Sequence, residues 1–103
     1  MTLEEIKHIA DISTSYDLDF PSQMDEYYAK VYTPVRKAVA NNDKTVIDYI
    51  STCTGDVQYY LSTAVEAGTI DGQHPEAITL YKKICAEQGF EMDDRVMVDK
   101  IAV

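Results

Sequence analysis

The side chains best suited to thiolate chemistry or zinc binding are two cysteines, Cys53 and Cys85, and two histidines, His8 and His74. Cys53 and Cys85 both fall at apolar positions of predicted helices. A free cysteine there behaves as a small hydrophobe, so the two are read as reduced and buried, with a disulfide between their helices as the minority alternative. Asp71, His74 and Glu76 lie close together in sequence. Zinc sites, however, draw three or four ligands mainly from Cys and His, and the second histidine, His8, is far away. Asp17-Leu18-Asp19 lacks the glycine and downstream glutamate of a calcium loop. No strained serine elbow and no phosphate-cradling glycine loop is present. The expectation is a protein that is not an enzyme, with no metal and no cofactor.

Charge is more informative. The 103 residues carry a net charge of −9, and it is unevenly placed. Residues 1–29 hold Glu4, Glu5, Asp11, Asp17, Asp19, Asp25 and Glu26 against Lys7 alone. Residues 30–44 reverse the sign, with Lys30, Arg36, Lys37 and Lys44 against Asp43. From 45 to 81 there are Asp48, Asp56, Glu66, Asp71 and Glu76 and no Lys or Arg. A surface of that kind repels nucleic acid, whose phosphates are bound by Lys and Arg, and attracts basic partners. Eight tyrosines include two adjacent pairs, Tyr27-Tyr28 and Tyr59-Tyr60. Neighbours on a helix point about 100° apart, so with Tyr28 and Tyr60 facing the core, Tyr27 and Tyr59 flank it as candidate anchors.

The elements that must position these groups all read as helical. Thr2 and Glu5 fit a capping box, and Leu3, Ile6, Ile9 and Ala10 form a stripe to about Ser13. A loop carrying Tyr16, Leu18 and Phe20 follows, tucked against the core. A long helix from about Ser22 to Ala40 uses Met24, Tyr28, Val31, Val35, Ala38 and Val39. Pro34 interrupts it, which predicts a kink or two shorter helices meeting near Thr33. Asn42 or Asp43 caps the next helix.

The stretch Val46–Gly68 organises the chain: two amphipathic helices hinged at Thr54-Gly55-Asp56. The first shows Val46, Ile47, Ile50, Cys53 and Thr54, and the second Val57, Tyr60, Leu61, Ala64 and Val65. Asp56 reads as the N-cap of the second and Gly68 as its left-handed C-terminal stop. A turn over Thr69–Gln73 leads to a helix opened by Pro75, striped by Ile78, Tyr81, Ile84 and Cys85, and ended by Gly89. Residues 90–103 read either as a short helix capped by Asp93 or Asp94 and carrying Met97 and Ile101, or as a strand through Val96 and Val98.

The fold class is therefore all-α: a compact bundle of five to six short helices around a central α-α hairpin at about 44–67, with one domain over 1–103. The opening Met1-Thr2-Leu3-Glu4-Glu5-Ile6 has no basic signal-peptide region, and no apolar run is long enough to span a membrane. A cytoplasmic protein is expected.

Three functions compete. The first is an acidic protein-binding module that docks on a basic protein surface, one that otherwise binds nucleic acid, through Asp48, Asp56, Tyr59, Glu66 and Asp71. Size and charge are similar in composition to small acidic nuclease inhibitors, such as bacteriocin immunity and phage anti-defence proteins, although no motif carries the likeness. The second is a helix-turn-helix regulator built on the hairpin, with Ser51, Gly55 and Leu61 at apt places. Its recognition helix would show Asp56, Gln58, Tyr59, Ser62, Thr63 and Glu66, with nothing basic to meet phosphate or guanine. The third is a homo-oligomer, at its simplest a homodimer, associating through apolar flanks.

Overall fold

The computed structural model describes residues 1–96, and every regular element in them is helical. In chain order these are α1 (Leu3–Ser13), α2 (Pro21–Tyr27), a π-helical segment (Tyr28–Tyr32), α3 (Thr33–Ala40), α4 (Lys44–Ser51), α5 (Gly55–Gly72) and α6 (Pro75–Gln88). A helical turn at 94–96 ends the described chain. The all-α bundle expected from periodicity is what the chain forms. The region 97–103, with Met97, Val98 and Ile101, lies outside the described residues.

Several helix ends form as the local sequence dictates. The Thr2 hydroxyl accepts from the Glu5 N–H at 3.1 Å while the Glu5 carboxylate accepts from the Thr2 N–H at 3.0 Å, which completes the capping box on α1. Asp43 caps α4, accepting from the Val46 N–H. Gly55, at φ 60°, makes the turn from α4 into α5. Gly89, at φ 75°, stops α6, and the Cys85 carbonyl there accepts from both the Gly89 and the Phe90 N–H.

Pro34 interrupts the long helix where expected: α3 begins at Thr33, after a segment that keeps helical dihedrals but widens to π geometry, with the Thr33 N–H bonded to the Tyr28 carbonyl five residues back. A proline ring crowds the carbonyl four residues before it and leaves that carbonyl without its donor, and a π segment there accommodates both.

The tyrosine assignment holds for the second pair, with Tyr59 exposed and Tyr60 half-buried, and is reversed for the first. Tyr27 is buried, whereas Tyr28 is exposed, as are Phe20 and Met24. Phe20, Met24 and Tyr28 instead recur every four residues along the outside of α2 and its π extension.

The largest correction concerns α5. It is longer than its stripe implies, because Gly68 does not stop it and residues 69–72 are helical rather than a turn. The left-handed residue is Gln73, at φ 53°. Nor is Asp56 the N-cap: Thr54 holds that position, with Asp56 in the first turn where the helix dipole favours an acid.

The two glycines serve another purpose. A Cβ on Gly68 would lie 2.6 Å from the Arg36 carbonyl oxygen and 2.7 Å from Val39 Cβ, and one on Gly72 would lie 2.4 Å from the Ala40 carbonyl oxygen. They let the backbone of α3 rest directly on α5. Around α5, α6, α1 and the π segment complete the packing, while α4 lies against α1, α3 and α6 rather than on α5, so the hairpin expected at about 44–67 is not the centre of the bundle and the α3–α5 crossing is.

With neighbours on several sides, α5 buries Gln58, Ser62 and Thr69 along with Leu61, Ala64 and Val65. The Gln58 amide donates to Glu87 at 3.1 Å and accepts from Gln88 at 2.7 Å. One connected core runs from Ile6 to Val96.

This crossing gives a test whose sign opposes the usual one. Ala for Gly inside a helix ordinarily stabilises by about 0.5–1 kcal/mol. Gly68→Ala should instead destabilise by about 1–3 kcal/mol, since the clash is with backbone that moves only if α3 slides. The expected result in urea unfolding is a lower midpoint at unchanged slope; a midpoint that rises would remove the close crossing as the explanation of Gly68.

Candidate functional site

The outer face of α5 is built from the register that its buried face imposes. With Gln58, Leu61, Ser62, Val65 and Thr69 turned inward, the spacing of three and four brings Asp56, Tyr59 and Thr63 out along one stripe that the half-buried Glu66 and Ile70 continue. Three of the five expected contact residues, Asp56, Tyr59 and Glu66, are on it.

Asp71 lies at the end of α5 beside that stripe, and it is not a free acid. Arg36 reaches over from α3 and binds it with two hydrogen bonds, Nε to Oδ2 at 2.7 Å and Nη2 to Oδ1 at 3.2 Å. The absence of cations between 45 and 81 therefore leaves no bare acidic face at this end, because the α3–α5 crossing supplies one from outside the run. Asp48 is exposed on α4 and is not among the residues lining the grooves along α5.

Two depressions meet at Glu66. On one side a groove of about 240 Å³ is walled by Leu18, Tyr27, Tyr59, Tyr60, Tyr81 and Phe90. On the other, Arg36, Asp71 and Arg95 line a more polar hollow.

The aromatic side is held in place by hydrogen bonds. The Tyr27 hydroxyl donates to the Tyr60 carbonyl, tying the second helical stretch to α5. The Asp93 N–H donates to the Tyr81 hydroxyl at 2.8 Å, which in turn donates to Glu66 Oε2 at 3.1 Å. Glu66 is thus oriented by a neutral group. No cation forms a salt bridge with it among the described residues, and the neighbouring Arg95 is paired with Asp93 at 2.8 Å. Burial pushes the Tyr27 phenol up to about 12 and raises Tyr81 further, so both are neutral donors across the physiological range.

The rings continue beyond the groove. Tyr59 lies 6.0 Å from Phe90 and 5.8 Å from Tyr60 between ring centroids. Tyr27 meets Tyr16 and Tyr28 edge to face, Tyr28 meets Tyr32 at 4.9 Å, and the Arg36 guanidinium sits 5.9 Å from the Tyr32 ring centre. Asp17 and Asp19 stand at the mouth beside Tyr59 and Tyr60.

Sequence reasoning missed Leu18, Tyr60, Tyr81, Phe90 and Arg36 as site residues. A signal existed for Phe90, since an apolar residue directly after a left-handed Gly89 packs back on the helix it terminates. None existed for Arg36, which is brought in by tertiary packing.

The remaining reactive groups lie elsewhere. Cys53 and Cys85 are free and buried, and burial raises both thiols, which outweighs the nearby Lys83 at Cys53 and the Tyr81 hydrogen bond at Cys85. His74 is the N-cap residue before Pro75, with no capping bond from its side chain. Among the described residues no three His, Cys, Asp or Glu side chains converge as a metal-binding group, and no helix is long and apolar enough to cross a membrane. Comparison with protein-family models, with curated proteins and with solved structures finds no match for the chain.

The Arg36–Asp71 pair can be titrated. The hydrogen bond from Arg36 holds the Asp71 carboxyl below its ordinary value of 3.8. A depressed folded pKa means the contribution to stability is fully present above the unfolded value and lost as pH falls through the folded one. Wild type should therefore lose more stability than Asp71→Asn between about pH 5 and pH 2. The difference should be small, because the pair is exposed. Arg36→Gln should reproduce it, and parallel acid limbs in all three proteins would show the pair to be energetically silent.

Proposed function

We propose that this protein is an acidic helical binding module that docks on a basic surface of another protein, a surface that otherwise serves to hold nucleic acid. The observation that carries the reading is the outer stripe of α5. There Asp56 and Glu66 stand free of salt bridges among the described residues, on either side of the exposed Tyr59, and Tyr59 and Glu66 line a groove walled largely by aromatic rings. Carboxylates steer a basic partner by long-range attraction, and tyrosine supplies buried contact area with few rotatable bonds.

The net charge of −9 supports the same reading. In it the chain binds as a cytoplasmic inhibitor rather than catalysing, in the manner of immunity or anti-defence proteins. Asp56, Tyr59 and Glu66 form the contact set, Asp71 sits at its margin, held by Arg36, and Asp48 belongs to a separate face.

The helix-turn-helix reading loses ground on one point. Of the residues it would turn toward bases, Gln58 and Ser62 are buried in the core. The homo-oligomeric reading keeps an observation of its own, the exposed Phe20, Met24 and Tyr28 stripe.

The test is affinity capture with the immobilised protein, followed by titration of the captured partner. A basic protein should bind wild type and be released as ionic strength passes about 0.15 M, where the screening length has fallen to about 8 Å. Asp56→Lys together with Glu66→Lys should abolish binding, while Asp48→Lys should leave it nearly intact. Affinity indifferent to salt and to the double charge reversal would sink the proposal. Sedimentation showing a concentration-dependent dimer that Met24→Glu dissolves would favour self-association instead.

A further inference from the structure

We propose that the groove beside Glu66 is a receptor for a single arginine side chain of the partner, its guanidinium lying on the Tyr59 and Phe90 rings and bonding to the Glu66 carboxylate. The assignment rests on the binding-module reading and gives it a chemical specificity. Three features of the groove point to this ligand.

Its walls are largely aromatic, with Tyr27, Tyr59, Tyr60, Tyr81 and Phe90 beside Leu18 and Ile84. A planar cation gains on such walls both by stacking and by attraction to the ring quadrupole, and guanidinium does so better than ammonium because it is more weakly hydrated. Its one carboxylate is preset: Tyr81 takes Oε2, and Oε1 accepts no hydrogen bond among the described residues. Thirdly, the internal arginine that could have closed the gap is committed elsewhere. Arg95 shares the far side of Glu66 but spends its guanidinium on Asp93, with hydrogen bonds of 3.0 and 2.8 Å.

The chain already contains a miniature of the arrangement. Arg36 stands over the Tyr32 ring and binds Asp71 by two hydrogen bonds. The same three parts, aromatic face, guanidinium and carboxylate, occur there with the cation supplied from within. At Glu66 the ring and the carboxylate are present and the cation comes from outside.

The experiment uses three small probes on the whole chain, followed by amide chemical shifts: N-acetylarginine amide, its neutral isostere N-acetylcitrulline amide, and N-acetyllysine amide. The arginine probe should move the amides around Tyr59, Thr63, Glu66 and Phe90 saturably. The lysine probe should bind more weakly, and the citrulline probe should leave them in place. Glu66→Gln keeps an acceptor for the Tyr81 hydroxyl and so retains the fold, and it should weaken the arginine probe about tenfold, the value of one charge-assisted hydrogen bond. Tyr59→Ala, at an exposed position, should weaken it as well.

Equal response to arginine and citrulline, or shifts spread evenly over acids remote from the groove such as Glu4 and Asp25, would overturn the assignment. A groove silent to arginine in a protein that still binds its basic partner in a salt-dependent way would overturn it too, and would leave the binding-module reading standing.

Discussion

The structure depends on the close crossing of α3 over α5. At Gly68 and Gly72 there is no room for a β-carbon, since the α3 carbonyls of Arg36 and Ala40 occupy the space one would need. Two helix backbones in such contact gain dispersion along their whole shared length, and they leave little freedom in how one rotates on the other. Much else follows from that fixed angle. Arg36 is carried to Asp71, Val39 packs on the α5 backbone, and α5 must continue past the point where its glycine would otherwise end it. Gln73 then takes the left-handed conformation, because Gly72, the residue best suited to it, is needed at the crossing.

The second constraint is Pro34. By forcing the turn before it into π geometry, it changes which side chains between Tyr27 and Tyr32 face inward. Tyr27 goes to the core and reaches the Tyr60 carbonyl, and Tyr28 goes to the surface against Tyr32. Most of the tyrosines thereby gather along the groove and the helix beside it, with Tyr49 apart on α4. A regular helix through residues 28–32 would have continued the register read from the sequence and left Tyr27 on the flank.

What could be read from the sequence was local. The capping box, the Asp43 cap, the positive φ of Gly55 and the stop at Gly89 each depend on residues within a turn of one another, and all form as expected. Gly68 shows where that legibility ends. A glycine after an apolar stripe has two physical uses, a left-handed stop or a close approach, and the difference lies in a helix some thirty residues away that propensity does not see.

Arg36 and Asp71 repeat the lesson electrostatically, since a run free of cations in sequence is not free of them in space. The candidate site was legible to the extent that helical spacing alone placed Asp56, Tyr59 and Glu66 together. The other aromatic rings of its walls, Tyr27, Tyr81 and Phe90, come from outside α5, and only tertiary packing assembles them.

The two faces of α5 place unequal demands on its sequence. Its inward face contains polar groups, and each is answered from within: Gln58 by Glu87 and Gln88, Thr69 by the Val65 carbonyl, Ser62 by the Tyr59 carbonyl. An unanswered buried amide would cost about 1–3 kcal/mol, so the buried face makes full demands on its sequence. The outward face makes almost none. Asp56 and Tyr59 have no tertiary hydrogen bond among the described residues, and Glu66 is held by one neutral hydroxyl. Carboxylates on a chain already at −9 add self-repulsion, offset in part by the helix dipole at Asp56 and by the Tyr81 hydrogen bond at Glu66. The same residues, at helical spacing beside the aromatic groove, are the ones the proposed contact set draws on.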